Sequence, residues 1–340
     1  MRPSQVSQVL QVLFKAGKPV LLVGQPGIGK TDLVTQACEA GGYDLIVSHP
    51  VVSDPTEYKG MPWVLQKNGT AQASFLPFDD LELLIEAKKP TVYFLDDLGQ
   101  APAAVQAAAM QLLLARRINR HKVSDAVVFA AATNRREDKA AVQGILEPVK
   151  SRFVTIIKVE AEVEDWCKWA VQHGLPFELI SFIRFRPELL DQFKPTADMV
   201  NTPCPRTVSH VGFLLELELP EATEFETYAG AAGLAFATEL ISYLKIYRKL
   251  PDIDAIIANP SKAEVPSLSA KEGPATLYAV CGALAGKASK KVFPKIIQYA
   301  DRLPTEFSVM LIKDCIFKDK DLATIPAFGE WSVKHAGILL

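Results

Sequence analysis

Cysteine is sparse in this 340-residue chain, and its five copies are scattered. Cys38, Cys167, Cys204, Cys281 and Cys315 form no CxxC pair and no Cys/His ligand spacing. Neither a zinc site nor a disulfide framework is expected, and scattered thiols suit a reducing cytoplasm. The histidines are as dispersed: His49, His121, His173, His210 and His335 give no basis for a nucleophile–histidine triad. Long apolar runs are missing. The nearest to membrane-spanning length, Tyr228–Leu244, is interrupted by Glu239. The first nineteen residues lack the apolar core of a secretory leader. No membrane element is expected, and the expected location is cytoplasmic. A charge excess is missing too: 37 Lys and Arg against 39 Asp and Glu leave a net charge of −2. That balance argues against a surface coated in positive charge to hold nucleic acid, though not against a local basic patch.

What remains is the composition of a globular protein, with 49% hydrophobic and 22% charged residues, enough for a substantial core. The length suits one large domain or two to three ordinary ones. Short apolar runs alternate with helical patterns through the first half. Val20–Val23, Leu45–Ser48, Thr91–Leu95, Ala126–Ala132 and Phe153–Val159 are the apolar runs; Asp32–Ala40, Leu81–Ala87 and Val105–Arg116 are the helical stretches between them. Such alternation predicts a parallel sheet covered by helices. Beyond Val159 the pattern turns helical, over Val163–His173, Leu179–Phe182, Thr207–Leu217 and Tyr228–Lys249. Pro203, Pro205, Pro251, Pro260 and Pro266 mark breaks. Ile253–Gly273 reads as a linker, and a last helical region runs from Pro274 to about His335. The expected domains are an α/β core over 1–160, a helical domain over 161–252, and a linker with a helical extension over 253–340.

The most specific motif is Gly24-Gln25-Pro26-Gly27-Ile28-Gly29-Lys30-Thr31, which fits GxxxxGK[ST] between an apolar run and a helix that continues with Asp32. Glycines let backbone N–H groups wrap around phosphate oxygens, and the helix adds its positive dipole end. Lys30 is placed to reach the β- and γ-phosphates of ATP or ADP, and the Thr31 hydroxyl to bind Mg²⁺. About 65 residues later, Val92-Tyr93-Phe94-Leu95 ends in Asp96-Asp97. Parallel sheets bind ligands at the carboxyl ends of their strands. Asp96 is therefore expected to hold the Mg²⁺ shell and Asp97 to polarise the attacking water.

With these motifs the sequence resembles the AAA+ superfamily, and within it the MoxR-like ATPases. The resemblance covers about residues 1–215 and rests on GQPGIGKT, FLDDLGQAP, FAAATNRRED, EPVKSRF and TPCPRTV, in that order. DPTEYKGMP is similar to the family's insertion between the second helix and strand of its core. The resemblance implies that Asn134 is the sensor 1 residue orienting water. It also implies that Arg152 is an arginine finger entering a neighbouring subunit's site, with Arg135 or Arg136 as the alternates. Arg206 would be a sensor 2 arginine that touches its own subunit's phosphates. A ring-like homo-oligomer, most often a hexamer, follows from a finger that acts in trans. The resemblance also implies a partner with a von Willebrand factor A domain, through which MoxR-like ATPases typically act on a target protein. One departure stands out: the family usually has Asp-Glu where this chain has Asp96-Asp97, which bears on the rate of hydrolysis rather than on binding.

Other signals carry less. Arg116–Lys122 is a basic run that suits a solvated helix end with a hairpin as well as it suits lining a central pore or a contact to nucleic acid. Tyr58 and Trp63 flank the insertion and are read as packing residues rather than a grip on a substrate. Trp166 and Trp169, three apart, point to helical core. The expected fold class is thus α/β, a P-loop core with a helical lid and tail. The leading function is an ATP-driven remodelling machine. A nucleic-acid motor or loader and a slowly hydrolysing nucleotide-dependent scaffold are the alternatives.

Overall fold

The computed structural model describes residues 1–67, 69–138, 142, 144–217 and 219–335, and falls into two compact units, Met1–Ala161 and Glu162–Leu340. Residues 336–340 of the expected extension lie outside the described residues.

The first unit holds strands β1 (Val20–Val23), β2 (Asp44–Ser48), β3 (Met61–Lys67), β4 (Thr70–Leu76), β5 (Thr91–Leu95), β6 (Arg117–Ile118), β7 (His121–Lys122), β8 (Val127–Thr133) and β9 (Thr155–Lys158). Its helices are α1 (Pro3–Lys15), α2 (Lys30–Gly41), α3 (Asp79–Glu86), α4 (Ala103–Ala115) and the single turn α5 (Glu147–Lys150). Five strands form one parallel sheet in the order β2-β5-β8-β1-β9. Every residue of β5 and β8 is buried, as expected for strands covered on both faces. Their side chains alternate between two cores. Val20, Leu22, Val92, Phe94, Val128, Ala130 and Ala132 meet α1 and α2 on one face. Leu21, Tyr93, Leu95, Val127, Phe129 and Ala131 meet α3 and α4 on the other.

The helix α1 was not anticipated, although Val6, Leu10 and Phe14, spaced by four, are its buried stripe. The last sheet strand is shorter than the apolar run that predicts it. Phe153 and Val154 belong to the bend that leads into Thr155–Lys158. Two antiparallel hairpins project from the core: β3–β4 from the insertion, and β6–β7 from the basic run. Tyr58 packs as expected, with its hydroxyl 2.7 Å from the Ser48 hydroxyl. Trp63 does not: it is 57% exposed on β3, because a two-stranded ribbon has no layer beneath it to bury an aromatic ring. Of the charged side chains and the histidine in the basic run, only Arg116 turns inward. It donates to the carbonyls of Ser124 and Val127 at 2.8 Å and lies over the Phe129 ring. Arg117, Arg120, His121 and Lys122 are exposed.

The second unit is helical among its described residues: α6 (Val163–Gln172), α7 (Phe177–Phe185), α8 (Pro205–Leu215), α9 (Glu221–Ala232), α10 (Leu234–Tyr247), α11 (Ile253–Ala258), α12 (Gly273–Gly286), α13 (Phe293–Ala300), α14 (Thr305–Lys318) and α15 (Pro326–Lys334). The single helix expected over Tyr228–Lys249 is broken at Gly233, which has φ 93°. A Cβ there would stand 2.9 Å from the Asn201 carbonyl oxygen, so the chain must turn on a glycine. The stretch read as a linker contains α11, started by an Asp252 carboxylate that accepts from the Asp254 N–H and anchored by buried Ile256. Trp166 is buried as expected, and Trp169 packs against the same core while stacking on His173. Apolar on nearly every side, α12 lies between two cores: Ala275 and Ala279 belong to one, Leu277, Val280, Cys281 and Leu284 to the other.

An ion pair crosses this unit. Arg184 on α7 donates to Asp314 on α14 at 2.8 Å and pairs with Glu164 at 3.1 Å. Burial pushes Asp314 up to about 6, against the pull of Arg184. Removing Asp314 leaves the buried Arg184 guanidinium with the solvent-exposed Glu164 carboxylate in place of a buried partner. Asp314→Ala should therefore cost about 3–5 kcal/mol of stability, and Arg184→Met combined with Asp314→Leu far less. Urea unfolding checks this; a loss for Asp314→Ala below about 1 kcal/mol would show the pair to be dispensable.

Candidate functional site

Three strand ends build the site. In the sheet β1 stands between β8 and β9, yet the chain leaves it through α2 for β2 at the far edge. A reversal of this kind opens a crevice at the carboxyl ends of the strands. Gly24–Gly29 follow β1, Asp96 and Asp97 follow β5, and Asn134 follows β8. The parallel register sets Val23 beside Thr133 and Leu95 beside Ala131, so the three segments emerge side by side.

The loop after β1 depends on its glycines. Gly27 (φ 76°) and Gly29 (φ 93°) occupy the left-handed region that disfavours a Cβ. Ile28 anchors the loop in the core between them. No side chain caps α2, which leaves its positive end to the loop, and exposed Asp32 lies in its first turn. Lys30 is 7% exposed. Its ammonium donates to the carbonyls of Gly24 and Gln25, both at 3.0 Å, and to the Asn134 Oδ1 at 2.7 Å.

The acidic pair divides its contacts. Asp96 accepts the Thr31 hydroxyl at 2.7 Å on one oxygen and the Asp97 N–H at 3.0 Å on the other. Thr31 and Asp96 are adjacent oxygen donors of the kind a hard divalent cation takes, so the residues present fit Mg²⁺. They would hold it, and the ion would neutralise charge on phosphate oxygens. Asp97 sits in the left-handed region (φ 55°), unusual for a residue with a side chain. Its Oδ1 accepts from Gln100 Nε2 at 2.9 Å and from Asn134 Nδ2 at 3.3 Å. The turn after it lies close to β8: a Cβ on Gly99 would fall 2.1 Å from the Thr133 hydroxyl oxygen.

Lys30, Thr31, Asp96, Asp97 and Asn134 are thus brought into one hydrogen-bonded cluster. Arg152 is not tied to it among the described residues. It follows α5 in a turn, three residues before β9 rather than at its start, and among the described residues its side chain donates only to its neighbour Ser151, at 2.9 Å. Its Nε is buried without a partner among the described residues. Arg206 belongs to the second unit, exposed at the second position of α8.

Sequence reasoning missed Gln100, Gln106 and the pairing of Arg135. Gln106, buried on α4, donates to the carbonyls of Ala101 (3.0 Å) and Gly144 (2.8 Å) and accepts from the Leu146 N–H (3.0 Å). It pins the segment that leads to Arg152 onto the helix after the acidic pair. A glutamine within an Ala-rich helical run carries no sign of such a role. The cysteines stay outside the site: all five are buried, and burial pushes the Cys38 and Cys167 thiols up to about 12, far from a reactive thiolate. Among the described residues no helix is long and apolar enough to cross a membrane.

Residues 19–156 match the family model described as the AAA domain of the dynein-related subfamily. No curated protein matches the chain. Among solved structures the chain is similar to RuvB of Thermotoga maritima, the Holliday junction branch migration motor. The identity there is 15%, over 81% of this chain and 86% of that one, with a TM-score of 0.39. It is also similar to a Cytophaga hutchinsonii protein assigned as an ATPase, at 13% identity over 91% of this chain and 79% of that one, with a TM-score of 0.34. The phosphate loop after β1 and the acidic pair after β5 stand side by side on one parallel sheet, within the stretch that matches this family model.

Proposed function

We propose that the chain hydrolyses ATP to ADP and phosphate with Mg²⁺ and uses the cycle to remodel a protein target. The observation that carries this reading is the bonded path from Lys30 through Asn134 to Asp97, with Thr31 and Asp96 beside it. Lys30 exchanges loop carbonyls for β- and γ-phosphate oxygens when nucleotide enters. That exchange frees Asn134 Oδ1, whose amide then orients a water against Asp97. Asp97 accepts hydrogen bonds from that amide and from Gln100, which leaves its second oxygen for the water proton. Arg152 serves a neighbouring subunit and Arg206 its own, so the working form is a ring, most simply a hexamer. The MoxR-like resemblance supports a partner with a von Willebrand factor A domain that presents the target.

Two substitutions test the machinery together. Lys30→Ala removes the cation that faces the phosphates, and calorimetry should show ATP affinity lost; an unchanged affinity would overturn the assignment. Arg152→Ala should bind ATP normally while turnover drops by on the order of 10³ or more, as for arginine fingers. Mixing the two inactive variants rebuilds interfaces with an intact loop and an intact finger, so hydrolysis should partly return. No return in rings shown to be mixed would deny Arg152 its role.

Asp97 favours a second reading, a nucleotide-dependent scaffold with slow turnover. Its side chain is one methylene shorter than glutamate, and two amides hold the same oxygen on a left-handed backbone. On that reading Asp97→Glu speeds single-turnover hydrolysis about tenfold or more without changing ATP affinity, a gain typical of a better-placed general base. A slower or equal rate for Asp97→Glu would mean that the aspartate already serves the water fully.

A further inference from the structure

Arg135 follows Asn134 directly at the end of β8, and its side chain is committed on every edge that the structure describes. Asp138 is 4% exposed and faces it as a fork. Its Oδ1 accepts from Arg135 Nη2 at 2.7 Å and its Oδ2 from Nε at 3.0 Å, while the same Oδ2 accepts the Arg135 backbone N–H at 3.1 Å. Glu137 adds a second carboxylate 3.3 Å from Nη1. Two carboxylates against one guanidinium leave no net positive charge to offer a phosphate. A further bond reaches 110 residues back along the chain: Nη2 donates to the Gln25 Oε1 at 3.3 Å.

Gln25 is the second residue of the phosphate loop and is buried. Its carbonyl is one of the two that hold Lys30 in this state. The segment after β8 therefore grips the loop at two points, Asn134 on Lys30 and Arg135 on Gln25. When Lys30 turns to a phosphate, the Gln25 carbonyl loses that partner, and the bond from Arg135 to the Gln25 side chain stays in place.

We propose that Arg135 is a positioning residue of the nucleotide site that acts within its own subunit: locked by Asp138, it holds Gln25 and so sets the shape of the phosphate loop. The inference rests on the nucleotide reading above. It also removes Arg135 as an alternate for the finger, because a guanidinium forked on a buried carboxylate is not available to a neighbour.

The test is a double-mutant cycle on ATP affinity, measured by calorimetry on the full chain with Arg135→Ala, Gln25→Ala and the pair. Each single change should weaken binding about tenfold, and the double should be little worse than either. Arg135→Lys should not restore affinity, since an ammonium cannot fork Asp138 and also reach Gln25. Effects that simply add, or Arg135→Ala and Gln25→Ala both binding within about twofold of the unaltered chain, would overturn the proposal. Gln25→Ala leaves the Asp138 fork intact, so it still decides the matter if Arg135→Ala fails to fold. Lys30→Ala in the same titrations separates two failures. Affinity kept there overturns the nucleotide reading, and this proposal with it. Affinity lost there but kept in the other two overturns the proposal alone. Mixing gives a readout beyond folding. At ATP too dilute to fill Arg135→Ala sites, Arg135→Ala subunits combined with Arg152→Ala subunits rebuild complete sites only if the two arginines serve opposite sides of an interface, so hydrolysis should return. No return in proven mixed rings would put Arg135 on the finger's side and overturn the assignment.

Discussion

A buried ammonium with no partner costs several kcal/mol, and Lys30 lies almost wholly out of solvent. The site is organised around meeting that demand. Two carbonyls of the phosphate loop and the amide oxygen of Asn134 receive its three N–H donors. Loop carbonyls alone would make a closed turn. The third partner comes from β8, and it is in reach because β8 pairs directly with β1 in a register that sets Val23 beside Thr133. The Gly24 N–H extends that pairing by one residue, donating to the Thr133 carbonyl at 3.3 Å. Sheet order is therefore part of the chemistry: with another strand beside β1, Lys30 would lose its tie to the acidic pair.

The same close approach shapes the segment after β5. Gly99 lets the turn lie against Thr133, where any side chain would collide. Asp97 takes a left-handed backbone, at a cost of about 1–2 kcal/mol for a residue with a Cβ, and so directs an oxygen to both Gln100 and Asn134. Strain of this kind persists where the surroundings over-determine it, which is common at sites that do chemistry. Gln106 then ties the segment at Gly144 and Leu146 to α4, and from there the chain runs through α5 to Arg152. The arginine is thereby attached, through backbone and one buried amide, to the helix that follows the acidic pair.

Much of the α/β core could be read from the residues, because its strands are short apolar runs, β1 ending in a glycine and β5 in two carboxylates, and its phosphate loop needs a particular set of residues. Lys30, Thr31 and Asp96 were legible as a cluster for the same reason: both segments follow strands of one parallel sheet. Side-chain ties across large separations were not legible. Arg135 and Gln25 are 110 positions apart, and nothing local marks an arginine as the partner of a buried Asp138 rather than as a surface cation. The break at Gly233 was hidden because flanking Ala and Leu favour helix, while the demand for a glycine comes from the Asn201 carbonyl across the fold. The α1 stripe of Val6, Leu10 and Phe14 was visible in the spacing but lay in a stretch read only for a leader. Trp63 was misjudged for a different reason: burial depends on a covering layer, and a hairpin's neighbours are not written in its own sequence.

The account turns on Lys30 changing partners. The most direct measurement is a structure of the chain saturated with a slowly hydrolysed ATP analogue and Mg²⁺. The predicted result is a Lys30 ammonium within hydrogen-bonding distance of the β- and γ-phosphate oxygens and no longer on the Gly24 and Gln25 carbonyls, with Asn134 turned to the water in front of the γ-phosphate. Nucleotide bound with Lys30 still on its loop carbonyls and Asn134, or bound away from the carboxyl end of β1, would contradict it.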